Sequence, residues 1–192
     1  MIILTGPSAS GKTAACLFLQ KHYGIRKVIT HTTRPIRIGE KNDVDYHFVS
    51  EDEFLRLKNE DYFIETVFYN GHYYGTSRDE VRVDKCMAVE LNGAKTYRGL
   101  NDPNIVLFYM LAYEKTRHDR MAQRGDAPDK IASRLQEDKT AFAIDDKMRA
   151  MIDIFVDTEK MGIEKASDFI YKKYIEILKE RKIDFKEALK KK

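Results

Sequence analysis

Cysteine and proline are scarce in this chain, with two of the first and four of the second, and tryptophan is absent. Two cysteines are too few for the disulfide framework of a small secreted scaffold. Cys16 and Cys86 lie in apolar surroundings rather than at staple or metal-ligand spacing. They read as buried free thiols in a reducing compartment, which makes the cytoplasm the expected location. The ten glycines show no period, so collagen-like and low-complexity chains are excluded. No stretch approaches the roughly 18 consecutive apolar residues of a membrane span. The opening Met1-Ile2-Ile3-Leu4-Thr5-Gly6 has no basic leader and no cleavage site, so no export signal is expected. An excess of one charge is also missing: 34 basic side chains face 31 acidic ones, for a net +3. That removes any general electrostatic case for binding nucleic acid or a membrane, and any anion site must be local.

What is present is an ordinary globule. A length of 192 residues, with 43% hydrophobic and 34% charged side chains, suits one domain with small inserts. Ile2-Ile3-Leu4-Thr5 reads as a buried strand, and Lys12 to Tyr23 as a helix stopped by Gly24. Ile25 to Thr30 predicts a strand, followed by an arginine-bearing loop to Asn42. Asp45 to Val49 reads as strand, and Ser50-Glu51-Asp52-Glu53 as a capping box opening a helix to about Asn59. Phe63 to Tyr69 and His72 to Thr76 flank Asn70-Gly71, a strong hairpin signal. Residues 31–85 are therefore expected to form a small antiparallel insert. Cys86 to Leu91, Ile105 to Ala112 and Asp153 to Asp157 read as buried parallel strands. Tyr113 to Arg124 and Pro128 to about Lys147 are predicted helices around Gly125-Asp126-Ala127. A last helix is predicted over Ile163 to Lys182, with Ala166, Phe169, Ile170, Tyr174, Ile177 and Leu178 on one stripe. From Lys179 onward seven basic side chains meet three acidic ones, which reads as a solvated helix end.

The segment that announces chemistry is Gly6-Pro7-Ser8-Ala9-Ser10-Gly11-Lys12-Thr13, a match to G-x-x-x-x-G-K-[ST] between a predicted strand and a predicted helix. In such a loop, backbone N–H groups converge at a helix N-terminus and bind phosphate oxygens with directed donors plus the helix dipole. The candidate ATP-binding residues are Gly6, Ser8, Ala9, Ser10, Gly11, Lys12 and Thr13. Lys12 adds a point charge for the terminal phosphates, and the Thr13 hydroxyl is a candidate Mg2+ ligand. A second anion site is suggested by Thr30-His31-Thr32-Thr33-Arg34-Pro35-Ile36-Arg37, which sets two forked guanidinium groups beside hydroxyls.

Taken in order, Thr32 to Glu40, Asp45 to Ser50, Phe63-Ile64-Glu65 and Asn70 to Thr76, with the phosphate loop before them and Arg120, Arg124 and Arg134 after, resemble the guanylate kinase family. The resemblance covers about residues 1–176. It implies an α/β fold: a P-loop NTPase three-layer αβα core with a central parallel sheet, a small mixed α+β GMP-binding insert and a short lid. On that pattern the core takes residues 1–30, 86–124 and 135–176, the insert 31–85 and the lid 125–134, and 177–192 form a basic helical extension. It also implies ATP and GMP or dGMP as substrates, Mg2+ arriving with ATP, and a monomer or homodimer.

The resemblance assigns Arg34, Arg37, Tyr46 and Tyr74 to the GMP phosphate, and Thr30, Glu65, Thr76 and Glu90 to the surroundings of the guanine. Guanine offers an O6 acceptor with N1–H and N2–H donors, which hydroxyls and carboxylates complement, whereas adenine leaves those groups unpaired. Lys12, Arg37, Arg120, Arg124 and Arg134 are the expected catalytic charges. Three departures from the family pattern stand out. Ala88 replaces an acidic residue two positions before Glu90, Glu90 is itself a longer acid than the usual aspartate, and the lid sequence Arg124 to Asp129 is short. They leave two alternatives: a catalytically weak nucleotide- or protein-binding module, or a kinase for another small phosphorylated substrate.

Overall fold

In the computed structural model, which describes residues 1–189, the chain leaves its first strand almost immediately to make the phosphate loop. In chain order the elements are β1 (Ile2–Thr5), α1 (Lys12–Tyr23), β2 (Arg26–Lys27), β3 (His31–Thr32), β4 (His47–Phe48), α2 (Glu51–Asn59), β5 (Phe63–Tyr69) and β6 (His72–Ser77). After a single 3₁₀ turn at Arg78–Glu80 come β7 (Lys85–Ala88), α3 (Leu91–Gly99), β8 (Val106–Leu111), α4 (Glu114–Gln123) and α5 (Pro128–Ala141). The chain continues through α6 (Asp146–Met151), β9 (Ile154–Asp157), α7 (Thr158–Glu180) and α8 (Phe185–Ala188).

Among the described residues, five strands form one parallel sheet in the order β2-β7-β1-β8-β9. β1 lies at its centre with every residue buried, as expected of an apolar run covered on both faces. Alternate side chains feed two cores. Ile2 and Leu4 pack with Leu19 of α1 and with Ala166, Ile170, Tyr174 and Leu178 of α7. Met1 and Ile3 pack with Ala94 and Tyr97 of α3 and Met148 of α6. The result is three layers, with helices on both sides of the sheet. Cys16 and Cys86 are free and buried, with their sulfurs 3.0 Å apart, and burial pushes the Cys86 thiol well above its ordinary value.

A second sheet, ordered β4-β3-β6-β5, holds the residues between β2 and β7. Its hairpin turns at Asn70 (φ 49°) and Gly71 (φ 79°), the paired left-handed residues of a tight turn that matches strand twist. The Ser50 hydroxyl accepts the Glu53 N–H, which starts α2, and Phe54 of that helix stacks on Phe63 and Tyr73. The expectation of a purely antiparallel insert is corrected: β3 pairs with β4 in parallel, His31 opposite His47. The residues from Arg34 to Asp45 form a loop long enough to bring the chain back in the same direction.

Other boundaries also differ. Only Arg26 and Lys27 of the predicted Ile25–Thr30 strand join the main sheet, and the strand expected to reach Leu91 ends at Ala88, because Glu90 begins α3. The single helix expected from Pro128 to Lys147 is two, since Asp145 accepts the Met148 N–H and starts α6 afresh. The last long helix begins earlier, at Thr158, and is broken at Gly162 (φ 70°, ψ 168°). The proposed boundary at residue 177 cuts through this helix: Leu178 is fully buried and Phe185 packs on the same core, so the chain there is part of the fold. Of the basic end, Lys190 to Lys192 lie outside the described residues. No helix among the described residues is long and apolar enough to cross a membrane.

The turn out of β1 is possible only because residue 6 is glycine. Gly6 has φ +138°, and a Cβ there would stand 2.6 Å from the Met110 carbonyl oxygen of β8. Gly6→Ala is expected to cost about 3 kcal/mol of folding stability through backbone strain and steric conflict. Urea denaturation checks this, and a midpoint equal to that of the parent chain contradicts it.

Candidate functional site

The phosphate loop runs from the carboxyl end of β1 to the first residue of α1. Ala9 (φ 58°) and Gly11 (φ 101°) take left-handed conformations, which tightens the loop. No side chain caps α1, so its first N–H groups and the positive end of its dipole remain available to an anion. Lys12 lies back across the loop, its ammonium donating to the carbonyls of Gly6 (2.6 Å) and Pro7 (2.9 Å). Burial pushes the Lys12 pKa down, and the charges of Glu90 and Asp138 partly oppose this. Gly11, Lys12 and Thr13 line an open pocket of about 260 Å³ together with Ala9, Ala14, Arg120 and Arg124. Ser10 is fully buried, and its carbonyl accepts the Thr158 hydroxyl at 3.2 Å.

Arg34 is held at the mouth of the smaller sheet. Its guanidinium donates to Glu40 Oε1 (2.7 Å) and to the Pro35 carbonyl (2.8 Å), and lies 5.3 Å from the centre of the Tyr46 ring and 5.6 Å from that of Phe48. Tyr74 meets Tyr46 edge-on at 6.2 Å, so Arg34, Tyr46 and Tyr74 form one cluster. Glu40 folds this loop by accepting from both the Arg34 guanidinium and the Arg37 N–H. The Arg37 side chain is exposed and forms no ion pair among the described residues.

Behind this cluster, Glu65 and Thr76 sit directly opposite each other on β5 and β6. Thr76 is 1% exposed and its Oγ1 has no hydrogen-bond partner. An orphaned hydroxyl next to a carboxylate is the chemistry of a polar recognition edge. Burial raises the Glu65 pKa, while the Tyr97 phenol holds it down. Tyr97 faces Thr76 as well, and burial pushes its own phenol above the ordinary value. Thr30 precedes β3, and its carbonyl accepts the His47 N–H. Glu90 is exposed, opens α3, and its charge acts on Lys12. The β7–α3 unit therefore touches both regions, through Glu90 at the phosphate loop and through Tyr97 at the Glu65–Thr76 pair.

Three arginines lie around the turn at Gly125 to Ala127. Arg120 donates to the Ala9 carbonyl at 3.0 Å, while Arg124 and Arg134 both pair with Asp126. The segment expected as a lid is thus a short turn followed by the first two turns of α5. Ser8 directs its donors away from the pocket just described: its N–H donates to Asp138 Oδ2 (2.9 Å) and its hydroxyl to Oδ1 (3.3 Å). Tyr97, Arg117 and Asp138 were not among the expected site residues. Their signal was a polar or charged group placed on an otherwise apolar helix stripe, as in Ile131, Leu135 and Asp138 of α5.

Comparison with known proteins places this geometry in a family context. A family model described as Guanylate kinase matches residues 1–161. A guanylate kinase from Chromohalobacter salexigens is 34% identical over 145 residues, covering 71% of this chain and 67% of that protein. One from a Nostoc species is 34% identical over 160 residues, covering 79% of this chain and 80% of that protein. The crystal structure of guanylate kinase from Anaplasma phagocytophilum superposes with a TM-score of 0.60 at 23% identity, over 91% of this chain and 83% of that one, a likeness of fold.

Glu65 gives a test of the local electrostatics that needs no ligand. A carboxyl whose folded-state pKa is raised stabilises the fold where it is protonated, and that contribution is lost as pH rises through the folded pKa. Glu65→Gln is therefore expected to be more stable than the parent at pH 7, and to lose this advantage below about pH 4. Denaturant midpoints at the two pH values check it, and a less stable variant at pH 7 contradicts the assigned burial.

Proposed function

The chain belongs to the guanylate kinase family, and we infer that it transfers the γ-phosphoryl group of ATP to the phosphate of GMP, and of dGMP, giving ADP and the nucleoside diphosphate. The single observation that carries the base specificity is the Glu65–Thr76 pair, an acceptor and an unpartnered hydroxyl side by side at a buried edge. Guanine N1–H and N2–H meet the carboxylate and its O6 meets a hydroxyl donor. Adenine leaves these groups unpaired, which costs several kcal/mol, on the order of 10³-fold or more in discrimination. Thr30 and Glu90 are assigned to the same surroundings, Thr30 as a second hydroxyl. Glu90 is the weaker assignment, because its charge acts on Lys12.

On this reading the triphosphate lies in the pocket at Ala9 to Thr13, bound by loop amides and the start of α1, with the Lys12 ammonium exchanging its loop carbonyls for phosphate oxygens. The GMP phosphate is held by Arg34, Arg37, Tyr46 and Tyr74. The acceptor oxygen is already anionic at neutral pH, so no general base is needed and catalysis rests on alignment and charge neutralisation. Among the described residues no group of three or more His, Cys, Asp or Glu side chains could hold a metal by itself. A Mg2+ ion arriving on the triphosphate would be held by the exposed Thr13 hydroxyl as its protein ligand. When bound, the ion supplies positive charge to the phosphate oxygens.

Residues 125–134 act as the lid on this reading and 31–85 as the GMP-binding insert, while 1–30, 86–124 and the chain from 135 through α8 form the core. Arg124 and Arg134 share the single carboxylate of Asp126. Closure exchanges that carboxylate for the transferring phosphoryl group and excludes water. Arg120 already reaches the loop at Ala9. A cytoplasmic location is part of the same reading, supported by two buried free thiols.

An assay of ADP release with GMP, dGMP, AMP, CMP, UMP and ribose 1,5-bisphosphate tests the assignment. Turnover is expected with GMP and dGMP only. Lys12→Ala and Arg34→Ala are each expected to lower kcat/KM by at least about 10²-fold, and Glu65→Gln to erase most of the preference for GMP over AMP. A GMP preference that survives Glu65→Gln contradicts the base-recognition role.

A further inference from the structure

Two ionised side chains are buried under the phosphate loop, and the phosphoryl-transfer chemistry does not use either of them. Asp138 of α5 and Arg117 of α4 are 7% and 6% exposed, with Arg117 Nη1 donating to Asp138 Oδ2 at 2.5 Å. Each sits on its helix's apolar stripe, Asp138 with Ile131 and Leu135, Arg117 with Met121. A lone charge in such a position is strongly unfavourable, so each ion requires the other. Arg117 Nε has no partner, and its only side-chain hydrogen bond among the described residues goes to Asp138.

The pair does more than neutralise itself. Oδ2 of Asp138, the oxygen that accepts from Arg117, also accepts the Ser8 N–H, and Oδ1 accepts the Ser8 hydroxyl. One residue on, the Ala9 carbonyl is gripped by Arg120, three positions after Arg117 on α4. The first half of the phosphate loop is thus tied on one side to α5 and on the other to α4, the two helices that meet at the arginine-bearing turn. Between them lies Ala9 at φ 58°, a conformation costly for a residue with a Cβ and therefore in need of outside support.

We propose that Asp138, neutralised by Arg117, is a positioning residue for ATP: it fixes Ser8, and with it the loop whose free amides, at the start of α1, meet the phosphates. The pair also makes loop geometry and lid-helix packing one mechanical unit. A carboxylate so near a polyphosphate site is tolerable only because Arg117 cancels its charge. The inference rests on the assignment of ATP to the phosphate loop.

The decisive variant is the double replacement Arg117→Met with Asp138→Leu, which removes both charges and the Ser8 acceptor while filling similar volume; such swaps of buried ion pairs are often neutral or stabilising. Titration calorimetry of MgATP and, separately, GMP is the readout, with thermal melting alongside. The double variant is expected to melt within a few degrees of the parent, to bind ATP at least about tenfold more weakly, and to bind GMP unchanged. Asp138→Asn keeps an acceptor for the Ser8 N–H and is expected to fall between parent and double variant in ATP affinity. It carries the test alone if the double variant does not fold. ATP affinity equal to the parent's in the folded double variant, or in Asp138→Asn when that stands alone, overturns the positioning role. So does an equal loss for ATP and GMP, which marks general damage. A parent chain that binds neither nucleotide overturns the assignment of function itself, and is distinguished from failure of the positioning role, in which the parent binds both and the variants bind ATP equally well.

Discussion

The contact on which the molecule turns is backbone against backbone: Gly6, leaving β1, passes so close to the Met110 carbonyl of β8 that only hydrogen fits between them. β1 is the central, fully buried strand of a parallel sheet, so the loop that follows it opens at the sheet's carboxyl edge, where such folds place their ligands. Everything downstream depends on that exit. α1 starts immediately behind the loop without a capping side chain, so its first N–H groups stay available to an anion. The neighbouring strand β7 ends beside it, handing the chain to Glu90 and α3.

α3 then does the work of joining two sites that belong to different sheets. Tyr97 is fully buried in the core beneath the central sheet, yet its phenol faces Glu65 and Thr76 of the smaller one. The Glu65–Thr76 edge is therefore referenced to the same core as the phosphate loop. Charge is arranged with equal economy. A chain near neutrality concentrates its cations locally, Arg34 held by Glu40 beside the smaller sheet, Arg124 and Arg134 by Asp126 on the turn before α5. On the proposed reading each of these carboxylates holds a guanidinium in reserve for a phosphate, which is a stronger, multiply charged partner.

Much of this was legible in the amino-acid sequence, and the exceptions share a cause. The phosphate loop could be read from spacing because its chemistry is local: glycines, one lysine and one hydroxyl between a strand and a helix. Asn70-Gly71 could be read for the same reason. The parallel pairing of β3 with β4 could not, since two-residue strands leave no periodicity and their direction depends on a long loop. The division of α5 from α6 hung on one cap at Asp145. Tyr97, Arg117 and Asp138 escaped notice because their partners lie far away in sequence, Ser8 being 130 residues from Asp138. A charged residue on an apolar stripe is the trace such long-range partnerships leave, and it was present in both α4 and α5.

On the proposed reading two phosphate-bearing nucleotides meet end to end, one on loop amides behind β1, the other on the side chains of the smaller sheet. The measurement that tests it most directly is calorimetric titration with a single bisubstrate molecule in which adenosine and guanosine are joined by a chain of five phosphates. The account expects one such molecule per chain, bound far more tightly than ATP or GMP alone, and displacing both at once. Binding no tighter than the better of the two nucleotides, with the other still able to bind, contradicts it.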